Sequence, residues 1–494
     1  MHRIAALPLL ASSIAAQCAM VTTPTGLPQL AAMLASDRDG PGPLPATVVV
    51  ADVQWTTTVP AAPFSAVSLY DPTTGSTTPL GPPLPCIVNA LAELTDGRIV
   101  AAGTRFQLGI QPIGQLGFWN GSSWALLPDF PPYHGVTVMR RMANGDLLVG
   151  GTFASIGGVA ANGVARFDGT TWHAFGAGPT NSTQGANVLD VLEMPNGDVI
   201  AAGTFSLQLG SNLYWEASVK RWNGVAWTEV GNSPFFRVER LARLRTGDVV
   251  AVSRIQLQAF GPYEFAARWN GTTWIGMSTG LGSDGPVVTL PNGDLAIGGT
   301  MQTGTGPGQS DLGRWNGTAW VPLATNPSID PALRLVLLPD GSLLASNATS
   351  TFRAASTCQP GVASYGTGCV GSAGPTTLAA ITRPWAGSAF LARAGGMPAS
   401  SLVLSIYGFT PLSASLAAAL PQALPGCQLL MSPDLLDVLL PNGGEAITAI
   451  VLPDLPALAG QSFHHYVVPF EFGPGFVLTT ITSSNALTAT IGAL

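Results

Sequence analysis

Two short stretches decide how this chain reads: Asn196-Gly197-Asp198-Val199-Ile200-Ala201-Ala202-Gly203-Thr204 and, further on, Trp222-Asn223-Gly224-Val225-Ala226-Trp227. The first is a tight-turn signal feeding a strand of small apolar residues. The second is a turn held between two tryptophans. Both recur. The glycines of the first turn fall at Gly97, Gly145, Gly197, Gly247, Gly293 and Gly341, in steps of 48, 52, 50, 46 and 48. The second turn returns as Tyr70-Asp71-Pro72, Trp119-Asn120-Gly121, Phe167-Asp168-Gly169, Trp269-Asn270-Gly271 and Trp315-Asn316-Gly317. A period near fifty residues, built only from strand and turn signals, predicts an all-β fold of four-stranded units arranged as a β-propeller.

Residues 187 to 231 illustrate one unit. Val188 to Met194 and Val199 to Ala202 read as strands joined at Asn196-Gly197, and Ala217 to Trp222 and Trp227 to Val230 as strands joined at Asn223-Gly224. Asn-Gly pairs predict type I′ turns, with positive φ at both central residues. Nine of the twelve tryptophans occupy the second turn, so they are expected to fill the widening gap between neighbouring sheets. An enlarged hairpin between Leu30–Ser36 and Ala46–Val53 adds one more unit. The expected seven blades lie near 27–80, 87–128, 135–177, 187–231, 237–279, 285–324 and 331–365, the last with a degenerate outer half around Thr351 to Ser364. The alternative is a six-bladed ring closed by the Tyr70 hairpin joining the Leu333 hairpin.

From Gly366 the cassette stops. Residues 366–494 are poor in charge, and Ser401 to Tyr407, Ala446 to Leu452, Ser462 to Phe470 and Phe476 to Thr482 read as strands of a C-terminal β-sandwich. The propeller is thus expected over 18–365.

The order of strand, Asp-Gly-type turn, strand ending in Gly-Gly or Gly-Thr, and aromatic-Asp/Asn-Gly turn before a Trp resembles kelch and galactose-oxidase-type propellers. Units such as Leu147-Leu148-Val149-Gly150-Gly151-Thr152-Phe153 followed by Asn162-Gly163-Val164-Ala165-Arg166-Phe167-Asp168-Gly169-Thr170-Thr171-Trp172 are similar to those of exported bacterial repeat proteins with a glycine- and cysteine-led C-terminal β domain. That resemblance covers residues 27 to 365. It implies a secreted or surface propeller and brings no catalytic residues with it. For the C-terminal region it implies surface attachment or sorting, against the plainer expectation of packing on the propeller.

Composition narrows the setting. Only 10% of residues are charged, Lys220 is the sole lysine, and the net charge is −7. With no basic run to neutralise phosphates, nucleic acid is not an expected partner. Met1-His2-Arg3 followed by the apolar stretch Ile4 to Ala16 reads as an export signal over residues 1–17. Gln17 before Cys18 departs from what a lipoprotein signal requires. No other run has the length and hydropathy to span a bilayer. The expected localisation is therefore secreted or cell-surface, with the periplasm also compatible. Five cysteines (18, 86, 358, 369 and 427) suit an oxidising compartment. Cys369 and Cys427 share the C-terminal region and are the expected disulfide; spacing leaves the connectivity of the others open.

The chemistry-bearing residues give no constellation. His464-His465 invites a metal reading, yet adjacent strand residues point to opposite faces. A galactose-oxidase-like copper site would draw on Tyr133, His134 and one of His464 or His465, and the cysteine it needs is missing, since Cys86 adjoins no tyrosine motif. Asp146, Asp198, Asp248 and Asp294 repeat at one turn position, as structural residues do, and are expected to accept backbone hydrogen bonds in their turns. Arg166, Arg221, Arg268 and Arg314 repeat likewise. Asp190, Glu193, Glu216, Glu239 and Glu264 do not repeat, and nothing in their spacing pairs them. Asn120, Asn270 and Asn316 match glycosylation acceptors as by-products of the turns. No metal or cofactor motif is present.

The function this supports is a non-enzymatic one: irregular loops on a rigid ring binding a glycan or a surface protein. The divergent loops are Gln107 to Gly117, Phe205 to Glu216, Arg254 to Glu264 and Met301 to Ser310. All follow the second strand of a unit and so emerge on one face, with Tyr214, Trp215, Phe260 and Tyr263 as expected contacts. A polysaccharide-active hydrolase or lyase and a structural cell-surface component are the alternatives.

Overall fold

The computed structural model describes residues 18–36, 47–55, 62–107, 110–179, 186–209, 212–215, 218–231, 235, 237–253, 265–277, 281, 285–301, 312–324 and 333–494. The expected export signal lies outside them. The chain divides into two compact units. The larger comprises Val21–Arg38 and Ala46–Ala354, and the smaller is built mainly from Ala355–Leu494.

Among the described residues, the larger unit holds seven four-stranded antiparallel sheets in chain order. The fourth is typical: Asn187–Glu193, Val199–Thr204, Val219–Trp222 and Trp227–Glu229. The first strand of each sheet lies against the first strand of the next, and Arg334–Leu337 of the seventh returns to Leu30–Ser36 of the first. This is a propeller-like ring order. It explains the residues chosen at each radius. Second strands such as Leu147–Gly151 and Val249–Val252 are buried throughout, because neighbours cover both faces, so they read as unbroken runs of small and β-branched residues. Towards the outer edge the gap between sheets widens, and tryptophan fills it.

The outer edge is a repeated latch. The two aromatics of the second turn face each other across the strand pair, as Trp119↔Trp124, Trp222↔Trp227, Trp269↔Trp274 and Trp315↔Trp320. The second indole N–H of each then donates to a carbonyl at the edge of the preceding sheet: Trp124 to Leu80 (2.9 Å), Trp227 to Phe175 (2.8 Å), Trp274 to Val230 (2.7 Å) and Trp320 to Met277 (2.6 Å). A buried indole donor is thereby satisfied while its ring fills the gap. Gly231 follows one such edge with φ +59°, and a Cβ there would stand 2.3 Å from Trp269. Only glycine leaves room for the ring.

The turns differ from the expected type I′. The glycines at 97, 145, 197, 247, 293 and 341 carry positive φ, but the residues before them do not. In the fourth sheet the Gly197 N–H donates to the Met194 carbonyl and the Met194 N–H to the Asp198 carbonyl, closing a three-residue loop with its glycine in the left-handed region. Proline is the reason in several copies. Pro195, Pro291 and Pro339 fix a negative φ at the first loop position, which type I′ forbids. The repeated aspartates also depart from expectation, since their carboxylates accept side-chain rather than backbone donors. Asp198 takes the Asn196 amide and the Arg221 guanidinium, and Asp294 takes Asn292 and Arg314 (2.8 Å). Arg166–Asp146, Arg268–Asp248 and Arg353–Asp340 repeat the ion pair. Register accounts for it: Arg166 lies opposite Leu148, two residues beyond Asp146, so the pair is diagonal on one face.

The seventh sheet is where the sequence reading departs most. Its third strand is Thr351–Ser356, and its fourth is Met20–Pro24 from the opposite end of the sequence. Cys18 and Cys358 flank these two strands and form a disulfide. Val67–Tyr70 pairs with Thr47–Asp52 and Thr77–Pro79 in the first sheet, not with the Leu333 hairpin that the six-bladed alternative required. Gly361–Tyr365, expected in the last blade, pairs instead with Ala486–Thr490 of the smaller unit.

That unit has a three-stranded sheet of Thr377–Ala380, Ala389–Gly395 and Ala446–Val451. A six-stranded sheet is centred on Ser462–Phe472 and Leu402–Gly408. Alternate residues of both, including Leu378, Phe390, Ala392, Val403, Phe463, Val467 and Ala489, share one buried cluster. Cys369 and Cys427 form its second disulfide. Cys86, in the larger unit, is a buried free thiol, pushed by burial up to about 12. No described helix is long and apolar enough to cross a membrane.

Candidate functional site

Four-stranded meanders sort their connections by end. First-to-second and third-to-fourth turns lie at one end of the ring. Second-to-third connections lie at the other, together with the starts of the first strands. The long connections are themselves hairpins in four sheets: Gln54–Trp55 with Pro63–Phe64, Ile99–Gln107 with Ile110–Trp119, Ser155–Ile156 with Val159–Ala160, and Ser206–Leu209 with Asn212–Trp215. Loops stiffened in this way present side chains at low entropic cost.

At this end the first strands surround a cavity of about 590 Å³, to which all seven sheets contribute. One position recurs in its wall. Seven residues before the turn glycine stand Ala90, Val138, Asp190, Arg240, Pro286 and Arg334, and every one lines the cavity. A recurring β-bulge helps to aim them. The ladder skips a residue between Leu30 and Ala32, Val88 and Ala90, Val136 and Val138, and Val188 and Asp190. Adding Arg140, Arg237 and Glu239, the wall carries four guanidinium groups and two carboxylates, an excess of two positive charges in a chain of net charge −7.

Both carboxylates are engaged. Asp190 is buried and accepts Arg140 Nε (3.0 Å) and Nη2 (2.6 Å), together with the backbone N–H groups of Val191 (2.8 Å) and Leu241 (2.7 Å). Arg140 also donates to the Leu241 carbonyl (2.9 Å), tying the first strands of three sheets. Glu239 lies 3.3 Å from Arg237 Nε. Arg240 donates from Nη1 to the Glu239 carbonyl (2.8 Å), and Arg334 donates to the carbonyls of Leu333 (2.8 Å) and Ala31.

Exposed aromatics mark the same end. Trp55 is 62% exposed in its hairpin, Phe106 43% in the second sheet's hairpin, and Tyr133 65% on the segment leading from the second sheet into the third. Tyr133 has φ +64°, a left-handed conformation that costs about 1–2 kcal/mol for a residue with a Cβ. Neighbouring backbone holds it there. Its N–H donates to the Pro112 carbonyl (2.8 Å), and its own carbonyl accepts Thr152 Oγ1 (3.1 Å). Among the described residues of the larger unit, these three are the exposed aromatics, and all lie at this end. Sequence reasoning missed Trp55 and Phe106, and weighed Tyr133 only as a copper ligand, because each sits outside the repeating cassette and no second copy draws attention to it.

Of the contacts expected from sequence, Tyr214 and Trp215 lie on a hairpin strand at this end, and Phe260 and Tyr263 lie outside the described residues. Asp190 and Glu239 come together at the cavity. Glu193 is turned elsewhere and accepts the Ala143 N–H (2.6 Å), while Glu216 and Glu264 lie outside the described residues. In the smaller unit the two histidines part. His464 meets Thr488 Oγ1 (3.0 Å) and the Tyr365 ring, and His465 is buried against Tyr407 with both nitrogens bonded, to Thr448 Oγ1 (2.8 Å) and the Ile406 carbonyl (3.0 Å). Desolvation holds the His465 pKa down at about 4. Among the described residues no cluster of three His, Cys, Asp or Glu side chains stands ready for a metal.

The ring order of these sheets puts the chain among the β-propellers in fold class. Solved propellers to which it is similar include YCF48 bound to a D1 peptide, with a TM-score of 0.39 and 12% identity over 68% of this chain and 96% of that one. A streptogramin B lyase gives a TM-score of 0.41 and 11% identity over 70% and 100% of the two chains. Sqt1 from Chaetomium thermophilum gives 0.36 and 12% over 68% and 99%. No family profile and no curated protein sequence matches the chain.

Proposed function

We propose that this chain is an exported, seven-bladed propeller followed from about residue 355 by a β-sandwich, and that it binds a glycan at the loop end of the ring. The carrying observation is the set of exposed aromatics Trp55, Phe106 and Tyr133 around the end where the cavity lies. A pyranose ring has an apolar C–H face that stacks on an aromatic plane. Rigid, two-torsion aromatics make that contact at little entropic cost. The sequence-expected contacts Tyr214, Trp215, Phe260 and Tyr263 come from loops that follow second strands and are proposed as further contacts.

Binding is favoured over hydrolysis because the two carboxylates at the cavity are tied up. Four donors surround Asp190, and Arg237 lies beside Glu239, so neither stands as a free acid or base. Two disulfides in a chain with one lysine suit life outside the cytoplasm.

A glycan-array screen of residues 18–494 tests this. The expected result is a reproducible hit that Trp55→Ala and Tyr133→Ala each weaken by about tenfold, a loss of about 1.4 kcal/mol. An empty array from folded protein, or hits indifferent to both substitutions, would overturn it.

A further inference from the structure

We infer that the cavity receives the acid group of an anionic glycan, a uronic-acid carboxylate or a sulfate ester, with Arg240 as its principal ligand and Arg237 and Arg334 beside it. This rests on the glycan-binding reading above and names the class of glycan.

Three observations carry it. First, the charge is placed against the trend of the chain. Residues at the position seven before the turn glycine need only be small or apolar to pack, as Ala90, Val138 and Pro286 are, yet two of the six are arginine. Second, the arginines are unequally used. Arg140 is consumed by Asp190 and the Leu241 carbonyl, whereas the hydrogen bond of Arg240 goes to the Glu239 carbonyl from Nη1. A guanidinium has five N–H donors in a fixed fork, so most of the Arg240 fork remains for a ligand, and that fork matches a carboxylate or sulfate edge. Third, the cavity is concave and walled by the first strands, which lowers the local dielectric and concentrates the field of the excess positive charge. Its volume of about 590 Å³ lies within the ~300–1,000 Å³ typical of small-ligand sites, so a sugar unit can enter with its acid group.

The two halves of the site then divide the work. The rim aromatics take the sugar faces of a chain lying across the loop end, and the cavity takes one acid group from it. A neutral polymer would gain the first contact and lose the second. An acidic one would gain both, with salt-sensitive affinity.

Isothermal titration of the whole chain decides it, using oligogalacturonate, the same oligomer fully methyl-esterified, dextran sulfate and dextran as probes. The account expects at least one acidic probe to bind about tenfold or more tightly than its neutral counterpart, to weaken as NaCl is raised, and to lose about tenfold with Arg240→Gln at unchanged melting temperature. Carboxylate and sulfate are told apart by which acidic arm binds. Equal affinity for acid and neutral forms, or full binding by Arg240→Gln, overturns the inference. Neutral probes bound in a Trp55-dependent way would leave the rim reading standing without it. Acid binding that needs Arg240 but ignores Trp55→Ala and Tyr133→Ala would support the cavity and sink the rim.

Discussion

The outer and inner edges of the seven sheets are made of the same chain and obey different rules. Outside the innermost strands most sheets repeat their neighbours: four carry an aromatic pair across the turn with its indole N–H reaching the preceding sheet, and five carry an arginine on the turn aspartate. At the inner edge the equivalent positions read Ala90, Val138, Asp190, Arg240, Pro286 and Arg334, with no shared chemistry. Repetition is what packing demands when each unit must meet an identical neighbour. A single ligand on the ring axis meets all the sheets at once and makes no such demand. Where the repeat lapses while the backbone position persists, function has room to act.

Substitutions separate the two edges by what they cost. The largest effect belongs to the outer latch. Trp320 is buried and bonded to the Met277 carbonyl, so Trp320→Ala should cost about 3–5 kcal/mol in a urea titration. A cost below about 1 kcal/mol would mean that the tryptophans do not hold the sheets together. Next comes the staple flanking the closing strand. Replacing Cys18 and Cys358 together by serine should lower stability by about 2–4 kcal/mol, read in the same titration, because the bridge closes a loop spanning a sequence separation of 340. Unchanged stability would show that Met20–Pro24 holds its place without it.

How much of this was legible in the sequence follows from the same contrast. Gly197 and Trp222 announced themselves because five or more copies of each could be laid over one another, and strand order came with them. The closing strand did not, since Met20–Pro24 has no turn and no aromatic pair of its own and draws its partner from more than three hundred residues away. Turn type was misjudged because Asn-Gly alone does not select type I′: Pro195 and Pro291 forbid it in two copies, and Asn144-Gly145, with no proline before it, closes the same three-residue loop. At the site, the loop end was legible from topology. The arginines were not, because they are spread over the third, fifth and seventh sheets and no local window holds more than two of them. Counting back seven residues from each turn glycine finds Arg240 and Arg334, while Arg140 and Arg237 lie five and ten residues before theirs.

The most direct measurement compares Arg240→Gln with Arg268→Gln, each assayed for thermal stability and for titration with the acidic oligosaccharide that the parent protein binds. Arg240 lines the cavity, and Arg268 belongs to the repeated ion pair with Asp248 (2.9 Å). The account predicts that Arg240→Gln loses binding by about tenfold at unchanged melting temperature, while Arg268→Gln keeps its affinity and loses about 1 kcal/mol or less of stability from a part-exposed pair. If Arg268→Gln abolished binding and Arg240→Gln did not, the division between a structural outer edge and a functional inner one would be contradicted.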